Sequence, residues 1–361
     1  MTRARGILVG VLAAVALLAA TVVLAPRATT RYAVEASASP APAELATDGT
    51  GDGLPHSTAH PSSAAAADDL TRGLSRNVVL RSTMIAEKDF SYCSNGPVDD
   101  PPAEVRRVVF VVHGNDRRPC GMAGAVLAGA TDAQREQTLV VAPRFASAED
   151  TKDRAKELYW TFSGWSQGDP SVNPGAQISS YAVLDELIRR VGHRSVVVAG
   201  FSGGGQFVNR FAAGSASQPD RFVIANPSSY LYFTPARPGT PPEEVARCPG
   251  YNDYRYGLNQ LNPYMAASGP KGLTERYGKR KVVYLLGDRD RDPRSSSMDK
   301  SCGANVEGPN RLERGQRYWA YLPSVYGPEI RTRQQLHLVP GVAHDAVGMF
   351  TAAPARQALL G

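Results

Sequence analysis

The chain has 361 residues, enough for one large domain or two modest ones, and its 42% hydrophobic and 20% charged residues are ordinary for a globular protein. Its 40 Lys and Arg against 34 Asp and Glu give a formal charge of +6. The basic residues are scattered, with no basic run interleaved with aromatics and no nucleic-acid-binding motif, so nucleic acid is not an expected partner.

Arg3 and Arg5 precede an uncharged apolar run over residues 6–26. The run is longer than a usual signal-peptide core and just long enough to span a bilayer. Pro26 follows the only well-spaced cleavage site, so residues 1–26 read equally as a signal peptide or as an uncleaved membrane anchor. Either way the two arginines keep the N-terminus inside and place the remaining chain outside the cytoplasm, secreted or anchored. Residues 27–73 are rich in Ala, Pro, Ser, Thr and Gly, lack a hydrophobic period and read as a flexible linker. His56 and His60, which lie in it, are expected to be solvated rather than metal-binding.

From residue 74 onward, short β-branched runs alternate with helical patterns. The predicted strands are NVVLRSTM (77–84), RRVVFVVHG (106–114), TLVVAP (138–143), RSVVVAG (194–200), RFVIANP (221–227), KVVYLLG (281–287) and QLHLVPG (335–341). Several are apolar on consecutive positions, as expected of strands covered on both faces. Ile178, Val183, Leu184, Leu187, Ile188 and Val191 recur at helical spacing, and Gly192 should stop that helix. Residues 74–361 are therefore expected to form one doubly wound α/β domain with a mostly parallel sheet. Residues 228–281, rich in Pro, Tyr and Asn, read as an irregular insertion over the sheet that forms part of a substrate-binding wall. Cys93, Cys120, Cys248 and Cys302 have no C-x-x-C spacing and are expected to pair as Cys93–Cys120 and Cys248–Cys302 in an exported chain.

Between a strand and a helix, Gly200-Phe201-Ser202-Gly203-Gly204 matches G-x-S-x-G. A sharp turn there lifts the hydroxyl above the sheet and leaves no room for neighbouring side chains, which glycine accommodates. A serine needs a base to act as a nucleophile. After such a serine the acid precedes the histidine along the chain. That order leaves His337, inside a strand, and His344, in a loop three residues after Gly341; His344 is the expected base. The acid is expected after KVVYLLG, where Asp290 is favoured and Asp288 comes next. His113-Gly114 ends an early strand and is expected to shape an oxyanion loop, with the backbone N–H groups of Asn115 and Gly203 as donors. Trp160, Trp165 and Tyr230, with Phe162 and Tyr232, are candidates for an aromatic substrate pocket, with core packing as the competing role.

With Ser202, Asp290, His344 and the His113-Gly114 loop in this order, residues 74–361 resemble the α/β-hydrolase superfamily. More narrowly, GFSGGGQFVNRFA, NPSSYLY, CPGYNDYRYGL, YLLGDRD and SCGANVEGPNRLERGQRYW are similar to exported serine esterases of the feruloyl-esterase-like and polyhydroxyalkanoate-depolymerase-like group. The resemblance implies hydrolysis of a carboxylic ester through an acyl-enzyme, with no metal and no organic cofactor. HGNDRR departs from the HGGG run of one lipase and esterase subset, which argues against bulky tertiary esters. Two other readings remain open: acyl transfer on the same triad, and a non-catalytic surface-binding protein on a hydrolase scaffold.

Overall fold

The computed structural model describes residues 78–175 and 177–361. The expected signal or anchor (1–26) and the linker (27–73) lie outside the described residues. Among the described residues no helix is long and apolar enough to cross a membrane.

Eight strands form one sheet: β1 (Val79–Ile85), β2 (Lys88–Ser94), β3 (Arg107–Val112), β4 (Thr138–Pro143), β5 (Ser195–Phe201), β6 (Arg221–Ala225), β7 (Val282–Gly287) and β8 (Gln334–Val339). Their spatial order is β1-β2-β4-β3-β5-β6-β7-β8. The pairs β1–β2 and β2–β4 are antiparallel and all later pairs are parallel.

Helices cover both faces. On one side lie α1 (Pro119–Ala128), α10 (Ala346–Thr351) and α11 (Ala353–Leu360); on the other lie α3 (Ser180–Arg190), α4 (Gly203–Gly214), α7 (Gly269–Lys279) and α9 (Arg311–Tyr326). The short helices α2 (Asp132–Gln137), α5 (Pro242–Ala246), α6 (Pro263–Ala266) and α8 (Cys302–Asn305) sit in connections. In β5, Val196 and Val198 pack into the core beneath α3 and α4, while Val197 and Ala199 pack under α1 and α10. Side chains alternate across a strand, so a strand buried on both faces has no polar positions to alternate with. That accounts for the unbroken apolar runs.

All seven predicted strands are present, and β2 is an eighth that the pattern does not predict. It is joined to β1 by a two-residue turn in which Ala86 and Glu87 both have positive φ, 48° and 59°. Hairpin turns of this kind usually advertise themselves as Asn-Gly or Asp-Gly. Ala-Glu carries no such signal, and KDFSYCS is too polar to read as a strand.

The expected irregular insertion also needs correcting, because its last part forms the eleven-residue helix α7. Three glycines and a proline within GPKGLTERYGK weaken its helical pattern, but Leu273 and Tyr277 anchor it on the core. The disulfides pair Cys93 with Cys120 and Cys248 with Cys302, as expected. Closing loops with sequence separations of 27 and 54 contributes about 3–4 kcal/mol each in the chain-entropy model.

Candidate active site

The site is assembled at the C-terminal ends of β3, β5, β7 and β8. Ser202 follows β5 directly and takes φ 57° and ψ −117°, a conformation that L residues rarely adopt. The turn is held by Ser202 N–H donating to Ala225 O at 2.9 Å, and by Gln206 N–H donating to Ser202 O at 3.0 Å. The glycines are required by close packing. A Cβ at Gly200 would collide with the Gly204 carbonyl, and one at Gly204 would collide with the carbonyl of Val112 at the end of β3. The serine is thus pressed against the strand that leads into the His113 loop.

His344 lies in the loop after β8, and its Nε2 is 3.0 Å from Ser202 Oγ. Its Nδ1 is 2.7 Å from Asp290 Oδ2. An ionised carboxylate can only accept, so Nδ1 carries the proton and Nε2 is left to accept from the serine hydroxyl. Asp290 is 3% exposed and sits in the loop after β7. Asp288, the alternative acid, instead accepts from Gly341 N–H at 2.8 Å and pins the end of β8. Asp292 is exposed.

His113 is fully buried. Its Nε2 accepts from Phe145 N–H at 3.0 Å, so Nδ1 is the protonated nitrogen and donates to Gly114 O at 2.8 Å. Burial lowers its pKa to about 4, which keeps the ring neutral and suits a scaffold role. Asn115 follows in this loop, and its side-chain oxygen lies against Gly203. Gly203 opens α4, where first-turn N–H groups lack intrahelical acceptors. His337 is remote: it lines a cavity with Arg221 and Lys281 at the opposite ends of the strands.

Two cavities that share a wall lie at the site. One, of about 270 Å³, contains Ser202 and His344 and is walled by Met122, Phe201 and Ala346. The other, of about 340 Å³, is more polar and is lined by Gln206, Arg255, Asp299 and Phe162. Asn115 and Ser297 border both.

The expected aromatic pocket is different from the one observed. Trp160, Trp165 and Tyr230 have no exposed surface and belong to the core. Trp160 packs edge-on against Phe90 and Phe145, Trp165 lies against His113 and Phe145, and Tyr230 stacks on Tyr318 at 4.4 Å. These large rings gain more from full burial than from lining a wet cleft. Tyr232 is also buried; of these five candidates Phe162, 61% exposed, is the one that lines a cavity at the site.

Sequence reasoning misses two residues that hold the loops. Asn226, directly after β6 with φ 42°, accepts from Gly287 N–H at 2.8 Å and donates to Ala343 O at 3.2 Å, so it ties the Asp290 loop to the His344 loop. Arg311, on α9, forms a buried ion pair with Asp290 at 3.3 Å. An Asn at a strand end beside the elbow was a usable signal. Nothing in the chain links Arg311 to an aspartate 21 residues earlier.

No protein-family model matches the chain, and no curated protein matches it. Solved structures do. Poly(aspartic acid) hydrolase-1 from Sphingomonas sp. KT-1 superposes with a TM-score of 0.55 at 22% identity, covering 79% of this chain and 99% of that one. The poly(3-hydroxybutyrate) depolymerase LpqC from Bordetella parapertussis gives 0.49 at 22% identity, covering 78% and 90%. An S-formylglutathione hydrolase from Agrobacterium tumefaciens gives 0.42 at 15% identity, covering 79% and 95%. The strand order, the helices on both faces and the first of these superpositions together show that the chain has the α/β-hydrolase fold.

Proposed function

We propose that residues 74–361 form the catalytic domain of an extracytoplasmic serine hydrolase that cleaves carboxylic esters, with Ser202, His344 and Asp290 as its triad. The observation that carries this reading is the pair of hydrogen bonds, 3.0 and 2.7 Å, joining a serine at a strained elbow to a histidine and a buried aspartate. His344 Nε2 takes the proton of Ser202 Oγ as the oxygen attacks the ester carbonyl. Asp290 holds the ring in the tautomer this requires and stabilises the imidazolium that forms. The N–H groups of Asn115 and Gly203 receive the developing oxyanion, a contribution of about 3–4 kcal/mol per donor in comparable sites. His344 returns its proton to the departing alcohol. Water, deprotonated by the same imidazole, then attacks the acyl-enzyme, and Ser202 recovers its proton.

The carbonyl sits between the two cavities, so the acyl and alcohol halves occupy one each. Phe162 takes the role first assigned to Trp160, Trp165 and Tyr230. Two disulfides and the apolar run over residues 6–26 support a location outside the cytoplasm.

The test is an ester panel together with fluorophosphonate labelling. Ser202→Ala is expected to abolish labelling and lower kcat by about 10⁴–10⁶-fold. Ester turnover retained in that variant would end the assignment. Transesterified products formed with added alcohols would instead favour acyl transfer, and a folded wild-type chain that neither labels nor turns over would favour a non-catalytic binding role.

A further inference from the structure

The side chain of Arg311 is fully buried, although it carries a charge. Nη1 lies 3.3 Å from Asp290 Oδ1, the carboxylate oxygen that does not face His344. Nη2 donates to Ser297 Oγ at 2.9 Å, and Ser297 borders both cavities beside Ser202. The main chain follows the same route, because Leu312 N–H donates to Asp290 O at 3.2 Å. Taking a guanidinium out of water costs several kcal/mol unless it is paired. Among the described residues Asp290 is the carboxylate it pairs with.

We propose that Arg311 is a positioning residue that holds the Asp290 carboxylate with Oδ2 aimed at His344 and links this acid to the cavity wall through Ser297. This rests on the triad reading of Ser202, His344 and Asp290.

The surrounding charges give the guanidinium a measurable effect. Asp345 adjoins His344 but spends its carboxylate capping α10 on Val347 and Gly348 N–H. Asp116 borders the cavity from the His113 loop, and Asp288 is bound to Gly341. Tyr230, close enough to interact with Asp290, is a buried phenol that burial keeps neutral. Asp292, Arg289 and Arg291 are exposed to solvent, which screens them. Arg314, three residues further along α9, is also buried, but it donates to the carbonyls of Gly308, Ser228 and Asp299, so among the described residues Arg311 is the cation in contact with the Asp290 carboxylate. Without it, the Asp290–His344 pair carries one more negative charge, which favours a protonated imidazole that cannot accept the Ser202 proton. The acid limb of the reaction then moves to higher pH.

The experiment follows the second-order rate of fluorophosphonate labelling against pH for the full chain, with its disulfides formed. It compares wild type, Ser202→Ala, Arg311→Gln and Arg311→Lys, with folding checked by near-ultraviolet circular dichroism and thermal unfolding. Wild type should label and Ser202→Ala should not. Arg311→Gln should label at least about tenfold more slowly at neutral pH, with its acid limb displaced upward by about one pH unit. Arg311→Lys keeps the charge but cannot hold Asp290 and Ser297 together, so its limb should stay in place while the rate falls a few-fold.

A folded Arg311→Gln variant with the wild-type profile overturns the proposal. So does an equal slowing of both variants with neither limb moved, which would mark a purely structural role. If the Gln variant does not fold, the Lys variant decides: an unchanged rate, or a displaced limb despite the retained charge, overturns it. Absence of labelling in folded wild type refutes the triad reading and this proposal with it. Labelling of wild type with an unaltered Arg311→Gln variant refutes this proposal alone.

Discussion

The two halves of the candidate site are built by different physics. The elbow after β5 is held by backbone sterics: Gly200, Gly204 and the end of β3 approach so closely that no side chain fits, and Ser202 is forced to positive φ. The loops after β7 and β8 add side-chain ties to their backbone contacts, in which Arg289 N–H donates to Val342 O at 3.0 Å and Gly287 lies against the same carbonyl. Asn226 ties them together, Asp288 anchors one to the other, and Arg311 fixes the carboxylate of Asp290. The difference implies opposite failure modes. Substitutions at the elbow should disturb the fold itself, whereas substitutions in the acid–base loops should act first on the chemistry, and strongly on the fold only where a buried charge loses its partner.

Asp290→Asn should break that comparison most sharply. The amide keeps the shape but donates toward His344 Nδ1, which enforces the wrong tautomer, so kcat is expected to fall about 10⁴-fold. It also leaves the buried Arg311 guanidinium without its carboxylate, which should cost about 3–5 kcal/mol. A kinetic assay alongside thermal unfolding checks both halves of the expectation; wild-type stability in this variant would show that Arg311 does not depend on the carboxylate. Gly204→Ala should act through the fold alone, costing about 3 kcal/mol in a denaturant titration as the elbow and the end of β3 are driven apart.

His113 sharpens the comparison, because it belongs to the elbow side yet titrates. Its folded pKa is lowered by burial to about 4 from 6.5. The unfolded chain therefore binds the proton first, and stability is full above pH 6.5 and declines as pH falls toward 4. The slope is about 1.4 kcal/mol per pH unit, or about 3 kcal/mol across the window. Urea titrations from neutral to acid pH should show this slope, and His113→Asn should lack it. The smallest effect is expected from Asn226→Ala. Loss of two hydrogen bonds should cost about 1–2 kcal/mol of stability and loosen the Asp290 and His344 loops together, lowering kcat more than it raises KM.

Local patterns made much of the fold readable. The apolar runs of β3 to β7 are strong because each is covered on both faces, and the helix over Ser180–Arg190 carries its core residues at regular spacing. The β1–β2 hairpin was not readable, because its turn uses Ala86 and Glu87 where conformational preference would select Asn or Gly. The aromatic pocket was misread for a related reason. Composition marks Trp160, Trp165 and Tyr230 as large and amphipathic, which suits a cleft and a core equally, and only packing distinguishes them.

What the chain by itself determined was the chemistry along the strands: a serine among glycines after β5, aspartates after β7 and a histidine after β8, in the order that a nucleophile, acid and base require. Those assignments are local, because each residue type is set by the turn or strand end it occupies. What only the tertiary structure decided was which groups meet across loops distant in sequence. It placed Asp290 against His344 and gave Asp288 another partner, brought Arg311 against Asp290, and placed Asn226 between two loops. Such contacts depend on how α9 and the strand ends pack in space, and hydrophobic periodicity carries no record of that.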